Sequence, residues 1–301
     1  MAAPARKKAR GAGAGPTIGG CPVFPPNAQW NMRVDQLPVL ANSSSMVNAV
    51  GADRPIHPDF GPGLYRGGKI GIPFTVAGPS TPMRPVVFDD AKYSDPGPYP
   101  LPASTAVEAV PGRNTDRHAI VVDTAHCKLY EIYHADPGPG GVSWHGGSGA
   151  VWDLRSSNLR PDTWTSADAA GLPIFPLLVR YDEVKGGAIN HALRIAVPAT
   201  RKGWIYPARH DSSNATDPNL PQMGQRLRLK KSVNENSFPP QARPIVLAMK
   251  RYGVIVSDQG APWFLTGAPD DRWVYDQVFS IETRLHGRDF EVVDTSRLPR
   301  P

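Results

Sequence analysis

The sequence predicts a mainly β protein, a β-sandwich or jelly-roll-like fold with short helices and many loops rich in proline and glycine. The 34 prolines and 29 glycines among the 301 residues are interleaved with short apolar runs such as 119–122 and 253–256. Proline and glycine form turns, so this alternation indicates many short strands and not disorder. A chain of this length can also bury about three quarters of its unfolded surface in a core.

The chain is expected to divide into a tail and one globular domain. Residues 1–20 are predicted to be a disordered tail, because four basic residues of the first ten lie in an alanine- and glycine-rich stretch. Residues 21–301 are predicted to form a single β-rich domain, with an irregular arm at 21–110 and the main sheet region at 111–301. The prolines of the arm allow short strands at 70–76 and 85–88 and make helix unexpected over 46–110.

The main sheet region is expected to contain three hairpins and one helix. The first hairpin joins 119–123 to 128–133. The second joins 177–182 to 188–197 through the glycine turn at 185–187, and the third joins 254–257 to 263–266. A strand is expected at 225–229 and a helix at 240–251, which begins at a proline and ends before Gly253.

Cys21 and Cys127 are the two cysteines of the chain, and their sequence context fits one disulfide that ties the arm to a core strand. Two separate buried thiols are the alternative. A disulfide favours a secreted, extracellular protein, although the first residues lack the apolar segment of a signal peptide. No apolar run reaches the length of about 20 residues that a bilayer span requires.

The formal net charge of +6 arises largely in the tail, so it gives little support to nucleic-acid binding. The basic segment 226–231 alternates polar and apolar residues, which is typical of a half-buried strand. The expected partner is a polysaccharide or oligosaccharide, because of the aromatic and charged residues described below, and no nucleic acid or membrane span is expected. The sequence does not indicate an oligomeric state.

A glycoside hydrolase is the predicted enzyme class. Such enzymes use two carboxyl groups about 5 Å apart for retention, or about 6.5 to 9.5 Å apart for inversion. Glu183 and Asp168, or Glu183 and Asp258, are the expected pair, since each ends a predicted strand or lies in an adjacent loop. An aspartate that follows a strand is also a common turn former.

Two other functions remain open. A uronate lyase would use His191 or Tyr181 as its base, with arginine to offset the substrate carboxylate. His191 shares a strand face with apolar residues, so a hydrogen-bonded core histidine is the alternative. The third hypothesis is a non-catalytic glycan-binding or surface protein.

The residues expected to bind substrate combine aromatic rings with charged groups, because rings stack on sugars while charged groups bind hydroxyls. They include Trp152 and Trp164 for stacking, and Arg155, Arg180, Tyr181, Arg209 and His210 for polar contacts. No metal site is predicted. The loop 209–219 is rich in oxygen ligands and could hold a structural calcium ion, although it lacks the spacing of a recognised calcium loop.

The segment 147–173 reads GSGAVWDLRSSNLRPDTWTSADAAGLP, and three further motifs lie at 21–25, 127–131 and 252–258. Together they resemble a group of uncharacterised secreted bacterial proteins. The resemblance covers most of the chain after residue 20. It implies export and a role in polysaccharide turnover, and it brings no functional residues with it.

Overall fold

The computed structural model describes residues 15–108 and 116–300. Its secondary structure is mainly β, which confirms the predicted class, while the jelly-roll arrangement stays a prediction. The strands are β1 Thr17–Ile18, β2 Cys21–Pro22, β3 His57–Asp59, β4 Leu64–Tyr65, β5 Gly68–Lys69, β6 Phe74–Ala77, β7 Met83–Arg84, β8 Val86–Phe88, β9 Tyr99–Pro100, β10 Ala119–Asp123, β11 Lys128–Tyr133, β12 Asp136–Pro137, β13 Trp144–Gly146, β14 Ser148–Asp153, β15 Leu193–Val197, β16 Arg226–Leu229, β17 Val254–Gln259, β18 Phe264–Thr266 and β19 Phe290–Val292. The α-helices are α1 Ser43–Val50, α2 Tyr181–Lys185, α3 Ala242–Arg251 and α4 Tyr275–Arg284.

A six-stranded sheet in the order β19-β16-β17-β15-β18-β3 carries much of the core. β15 is parallel to β17 and antiparallel to β18, and β3 is parallel to β18. Val254, Ile255 and Val256 of β17 are all completely buried. A continuous apolar run of this kind is typical of a strand that is covered on both faces.

A four-stranded sheet in the order β14-β11-β10-β6 is also covered on both faces, and its side chains alternate between two clusters. Ile120 and Val122 belong to the large core that also contains the six-stranded sheet. Val121 and Ile132 face a second, smaller cluster with Phe88. Successive strand residues point to opposite faces, so one hairpin contributes to both clusters.

The remaining sheets are small. β12, β13 and β8 form a three-stranded sheet, and β1 with β2, β4 with β5, and β7 with β9 form pairs. A side chain on Gly149 of β14 would collide with the ring of Phe88, so glycine is needed where β14 passes this ring. Among the residues that the structure describes, no helix has both the length and the hydropathy that a membrane-spanning segment requires.

Several predicted elements are confirmed. The hairpin of β10 and β11 has the expected bounds and is antiparallel. Strand β16 and helix α3 lie within the predicted ranges 225–229 and 240–251. Strands β6 and β8 overlap the two strands expected in the arm.

Other predicted elements are wrong. The region 177–197 is not a hairpin, because Phe175–Leu177 is a 3-10 turn, α2 follows it, and β15 alone is a strand. The pair 254–257 and 263–266 is not a hairpin either, since β15 lies between β17 and β18. Helix α1 overlaps the region in which no helix was expected.

The arm is integrated with the main sheets, because β3 joins the six-stranded sheet and β6 joins the four-stranded sheet. Cys21 and Cys127 form a disulfide across a sequence separation of 106 residues, as predicted. The tail predicted at 1–20 lies outside the described residues for 1–14, and Thr17–Ile18 already pairs with Cys21–Pro22.

Candidate functional site

A polar cleft of about 260 Å³ lies where ends of the two large sheets approach each other. Tyr133 is the last residue of β11, Ser148 is the first residue of β14, and Asp258 is the penultimate residue of β17. The loop 165–169 completes the wall. The described residues that line the cleft are Asp90, Asp116, His118, Tyr133, Ser148, Thr165, Ser166, Ala167, Asp168, Ala169, His210 and Asp258.

Arg194 of β15 joins two of the predicted carboxylates beside this cleft. Its Nη2 lies 2.8 Å from Oδ1 of Asp168 and 2.7 Å from Oδ2 of Asp258. Because one nitrogen contacts both oxygens, these two oxygens are at most about 5.5 Å apart, the sum of the two contacts. This upper limit allows the carboxyl separation of about 5 Å that retaining glycosidases use. Nη1 donates to Oγ1 of Thr266 at 2.9 Å, which fixes the guanidinium plane.

Asp168 is the deeper of the two carboxyl groups. Its side chain has no exposed surface, whereas the Asp258 side chain is 26% exposed. Among the described residues no hydrogen-bond partner reaches Oδ2 of Asp168. Burial raises the pKa of Asp168 to about 7, against the opposing effect of Arg194 and with a further contribution from Asp258. Asp168 is therefore partly protonated at neutral pH.

His118 occupies the floor of the cleft as a cation. Its Nδ1 contacts Oε2 of Glu108 at 2.5 Å, and its Nε2 contacts the carbonyl oxygen of Ala167 at 3.1 Å. Both partners are acceptors, so both ring nitrogens must carry protons. Burial lowers the pKa of His118, but the charge and hydrogen bond of Glu108 outweigh it and raise the pKa to about 9.

Glu131 is a second buried carboxyl group near the cleft. It lies on the same face of β11 as Leu129, and it accepts the backbone N–H groups of Ile174 and Phe175 at 2.8 Å each. Burial raises the pKa of Glu131 to about 7, although the two N–H groups lower it. Asp168 raises this pKa further, and His118 lowers it, so the buried ionisable groups form one coupled set.

Several polar groups in the cleft are more open, and Asp90 and Asp116 are exposed. Asp258, Tyr133 and His210 are each only partly buried. Nδ1 of His210 lies 2.8 Å from the carbonyl oxygen of Ala169, and a carbonyl can only accept. The proton of neutral His210 is therefore on Nδ1, which leaves Nε2 as an acceptor. Burial raises the pKa of the Tyr133 hydroxyl, with smaller contributions from Asp116 and Asp258.

The cleft has an acidic wall. Of its lining residues within 15–108 and 116–300, four are aspartates, and none is lysine or arginine. Arg194 lies behind this wall. Such a wall attracts cations and disfavours anions.

The structure separates Glu183 and His191 from the cleft. Glu183 lies on α2, and its carboxylate contacts Nη2 of Arg180 at 2.9 Å and Nε2 of His191 at 3.0 Å. His191 is completely buried and its Nδ1 donates to the carbonyl oxygen of Ala192 at 2.7 Å. None of these residues lines the cleft. The pairing of Glu183 with Asp168 or Asp258, which depended on a strand at 177–182, is therefore not what the fold produces.

The predicted binding residues are dispersed. Trp152 is only 3% exposed and packs on Phe24, so its ring is not free to stack on a sugar. Trp164 packs edge-on against Tyr93, with Arg160 over its ring at 5.3 Å.

The remaining predicted binding residues are held by the protein itself. Arg155 donates to the carbonyl oxygen of His126, and Arg209 donates to that of Arg160. Tyr181 packs against Trp273. Asp168, Asp258 and His210 are the predicted residues that the cleft does bring together.

Sequence reasoning missed His118, Glu108 and Glu131 as members of this site. Glu131 and Arg194 each carry a detectable signal, because a single charged residue interrupts the apolar face of a buried strand. Glu108 carries none, since its partner is ten residues away and the contact is tertiary.

Within the described ranges, no three His, Cys, Asp or Glu side chains converge as a metal site. In the loop 209–219, Ser213 Oγ accepts the N–H of Ala215 and Asp217 Oδ1 accepts that of Asn219. These oxygens form local turns, and a structural calcium ion in the loop stays a prediction. The chain matches no protein-family model, no curated protein and no solved structure.

Proposed function

We propose that the protein is a secreted hydrolase that acts on a neutral or cationic glycan at the cleft containing Asp168 and Asp258. The observation that carries the proposal is the contact of Arg194 Nη2 with both carboxylates. It holds two carboxyl groups close together beside an open cleft while burial keeps one of them partly protonated. Glycosidic bond hydrolysis usually uses two proton-transfer groups in different protonation states. Of this pair only Asp258 is exposed to the cleft, so the second group in this proposal is Tyr133 or His210 of the same cleft.

The two aspartates have different roles in this proposal. Asp258 is the catalytic carboxylate of the pair, because its side chain is 26% exposed whereas that of Asp168 has no exposed surface. Asp168 is a positioning residue that acts through Arg194. When Asp168 is protonated, it no longer neutralises the guanidinium charge, so Arg194 attracts the carboxylate of Asp258 more strongly. Tyr133 and His210 are partly exposed groups of the same cleft that can give or take a proton, and the exposed Asp90 and Asp116 are two further carboxyl groups there.

The negative charge of the cleft lining limits the class of substrate that can bind. A uronate lyase would need to bind a carboxylate in a cleft whose described lining has four aspartates and one cationic side chain, that of His118. The acidic wall instead favours neutral sugars or amino sugars. This argument counts against the lyase hypothesis, in which His191 and Tyr181 were the candidate bases.

Non-catalytic glycan binding is the second candidate. It is favoured by the complete burial of the Asp168 side chain, which keeps this carboxyl group away from a ligand in the cleft.

The test compares wild type, Asp258→Asn and Asp168→Asn on neutral, amino-sugar and uronate polysaccharides. The readouts are new reducing ends, the absorbance of new double bonds, and binding by calorimetry. Asp217→Asn is the matched control, because Asp217 lies in an exposed turn outside the cleft. We expect Asp258→Asn to lower kcat by about 100-fold or more, and the control to retain full activity.

The Asp168→Asn variant has its own signature. The wild-type pH profile of kcat is expected to have an inflection near pH 7, where the pKa of Asp168 lies, and the variant is expected to lack it. Full activity of Asp258→Asn, or products with double bonds, would overturn the hydrolase. Binding without turnover that depends on Asp258 would establish the second candidate, and neither binding nor turnover would reject both.

A further inference from the structure

A second cavity, of about 440 Å³, lies between the residues of β3, the segment 60–70 and the outer face of α4. It shares no lining residue with the acidic cleft. Aromatic rings dominate its wall, and the described residues that form it are His57, Pro58, Asp59, Phe60, Gly61, Pro62, Tyr65, Ile70, Phe264, Tyr275, Val278, Phe279 and Glu282. We call it the aromatic pocket.

Three of these aromatic rings are exposed and do not belong to the hydrophobic core. Tyr65 and Tyr275 are each 59% exposed, and Phe279 is 37% exposed. Tyr275 and Phe279 lie one helical turn apart on α4, with ring centroids 5.4 Å apart and planes only 15° from parallel. The same helix buries Val278 and Ile281, so its attachment to the core does not depend on the exposed rings. Exposed aromatic surface of this kind marks binding sites.

The polar groups of the pocket are mostly acidic. Nδ1 of His57 contacts Oε2 of Glu282 at 3.0 Å, at the mouth of the pocket. Asp59 makes no ion pair among the described residues, and burial, followed by the charge of Glu108, raises the pKa of its carboxyl group. The described lining contains no lysine or arginine. A group that brings a positive charge would therefore be stabilised beside Asp59 and Glu282.

We propose that the aromatic pocket binds a small organic cation, an ammonium group attached to an apolar or aromatic body. The ring faces attract an ammonium group through their quadrupole, and the carboxylates of Asp59 and Glu282 complement its charge. The apolar walls from Ile70 and Val278 accommodate the uncharged part of the ligand. The described wall has two carboxyl groups and no lysine or arginine, which argues against anionic ligands.

The probes are benzyltrimethylammonium, benzyl alcohol and benzoate, titrated separately into the purified protein and followed by calorimetry and by two-dimensional NMR. We expect the cation to bind about tenfold more tightly than the neutral alcohol, and benzoate to bind most weakly. Equal affinity for the cation and the alcohol would overturn the proposal, because it would leave an apolar pocket without charge selection.

Variants locate the site. Tyr275→Ala and Glu282→Gln are each expected to weaken cation binding about fivefold or more, because one removes a ring face and the other a charge. The matched controls are Val274→Ala, at the N-cap of α4, and Asp276→Asn, in its first turn; both residues are exposed and lie outside the pocket lining. Unchanged affinity in both pocket variants, or an equal loss in the controls, would refute the assignment. Circular dichroism of each variant establishes that α4 is intact.

Discussion

Removal of the disulfide should cost the protein a large part of its stability without releasing the arm. The bond closes a loop with a sequence separation of 106 residues. In the chain-entropy model, cross-linking a loop of this length removes enough freedom from the unfolded chain to stabilise the fold by about 4.8 kcal/mol at room temperature. Typical measured values are about 2 to 4 kcal/mol, so the variant Cys21→Ala/Cys127→Ala should lose at least about 2 kcal/mol of unfolding free energy.

The folded arm should remain in place, because packing holds it independently of the sulfur atoms. Val23, Phe24 and Trp30 are at most 1% exposed and belong to the large core. The ring of Phe24 meets that of Trp30 edge-on, with centroids 4.8 Å apart. The disulfide therefore acts mainly on the unfolded state, whereas Phe24→Ala should remove packing in the folded state at a cost of about 3 to 5 kcal/mol.

Guanidinium unfolding followed by tryptophan fluorescence measures both effects, with linear extrapolation to water. Wild type in excess reductant is the control for the double variant, since both lack the cross-link and only the variant has altered side chains. A loss below about 1 kcal/mol would refute the argument from loop entropy. Rapid cleavage of the arm by a protease under native conditions would refute the argument that packing holds it.

Two further predictions concern buried charges. Glu183→Gln should lower the unfolding free energy by about 3 kcal/mol, because it leaves the buried Arg180 without its carboxylate. A thermal melt measures this loss of stability. A large loss of kcat at temperatures well below the melting temperature would instead show that Glu183 takes part in catalysis. The pKa of Glu131 is raised in the folded state to about 7 from its usual 4.5, so its contribution is fully present below about pH 4.5 and is lost as the pH rises through about 7. The unfolding free energy should decline over this pH window by up to about 3 kcal/mol. Glu131→Gln, measured by unfolding at several pH values, should make this decline smaller. An unchanged dependence of stability on pH in the variant would contradict the raised pKa of Glu131.

The sequence was most informative where structure is local. The β10 and β11 hairpin was predictable, because its strands are adjacent in the chain and Asp123 begins the turn, where its Oδ1 accepts the N–H groups of Ala125 and His126. The pair β17 and β18 was not predictable, since β15, about sixty residues earlier, is inserted between them. Periodicity identifies strands but does not state which strands are neighbours.

Gly186 and Gly187 show why Glu183 was misplaced. Two glycines between apolar runs fit a hairpin turn, and they fit the end of a helix equally well. In the structure Gly186 is the C-terminal cap of α2, and Gly187 has a positive φ of 84°. The short helix turns the Glu183 side chain towards Arg180 and His191, which a strand of the same sequence would not do. One ambiguous turn thus changed the predicted carboxyl pair.

Asp168 and Asp258 were predicted as candidates because polar residues at strand ends and in loops are seldom required by the core. Their partner Arg194 became decisive only through tertiary contacts, because the strand that carries it gives no indication of which acids it will meet. The buried contacts of one arginine with two acids and a threonine are specific to the folded chain. A sequence pattern can identify such charged residues, but it does not show which of them contact each other in the folded chain.

Thr266 connects the cleft and the aromatic pocket. Its hydroxyl accepts a hydrogen bond from Arg194, and in the sheet it stands opposite Asp59, which lines the pocket. Burial and the charge of Glu108 raise the pKa of Asp59, while His57 and Arg194 lower it. A cation bound beside Asp59 would favour its ionised form, and β18, which carries Thr266, is the strand between Asp59 on β3 and Arg194 on β15. The two cavities share no lining residue, and Thr266 contacts the arginine beside the cleft while it stands opposite a lining residue of the pocket.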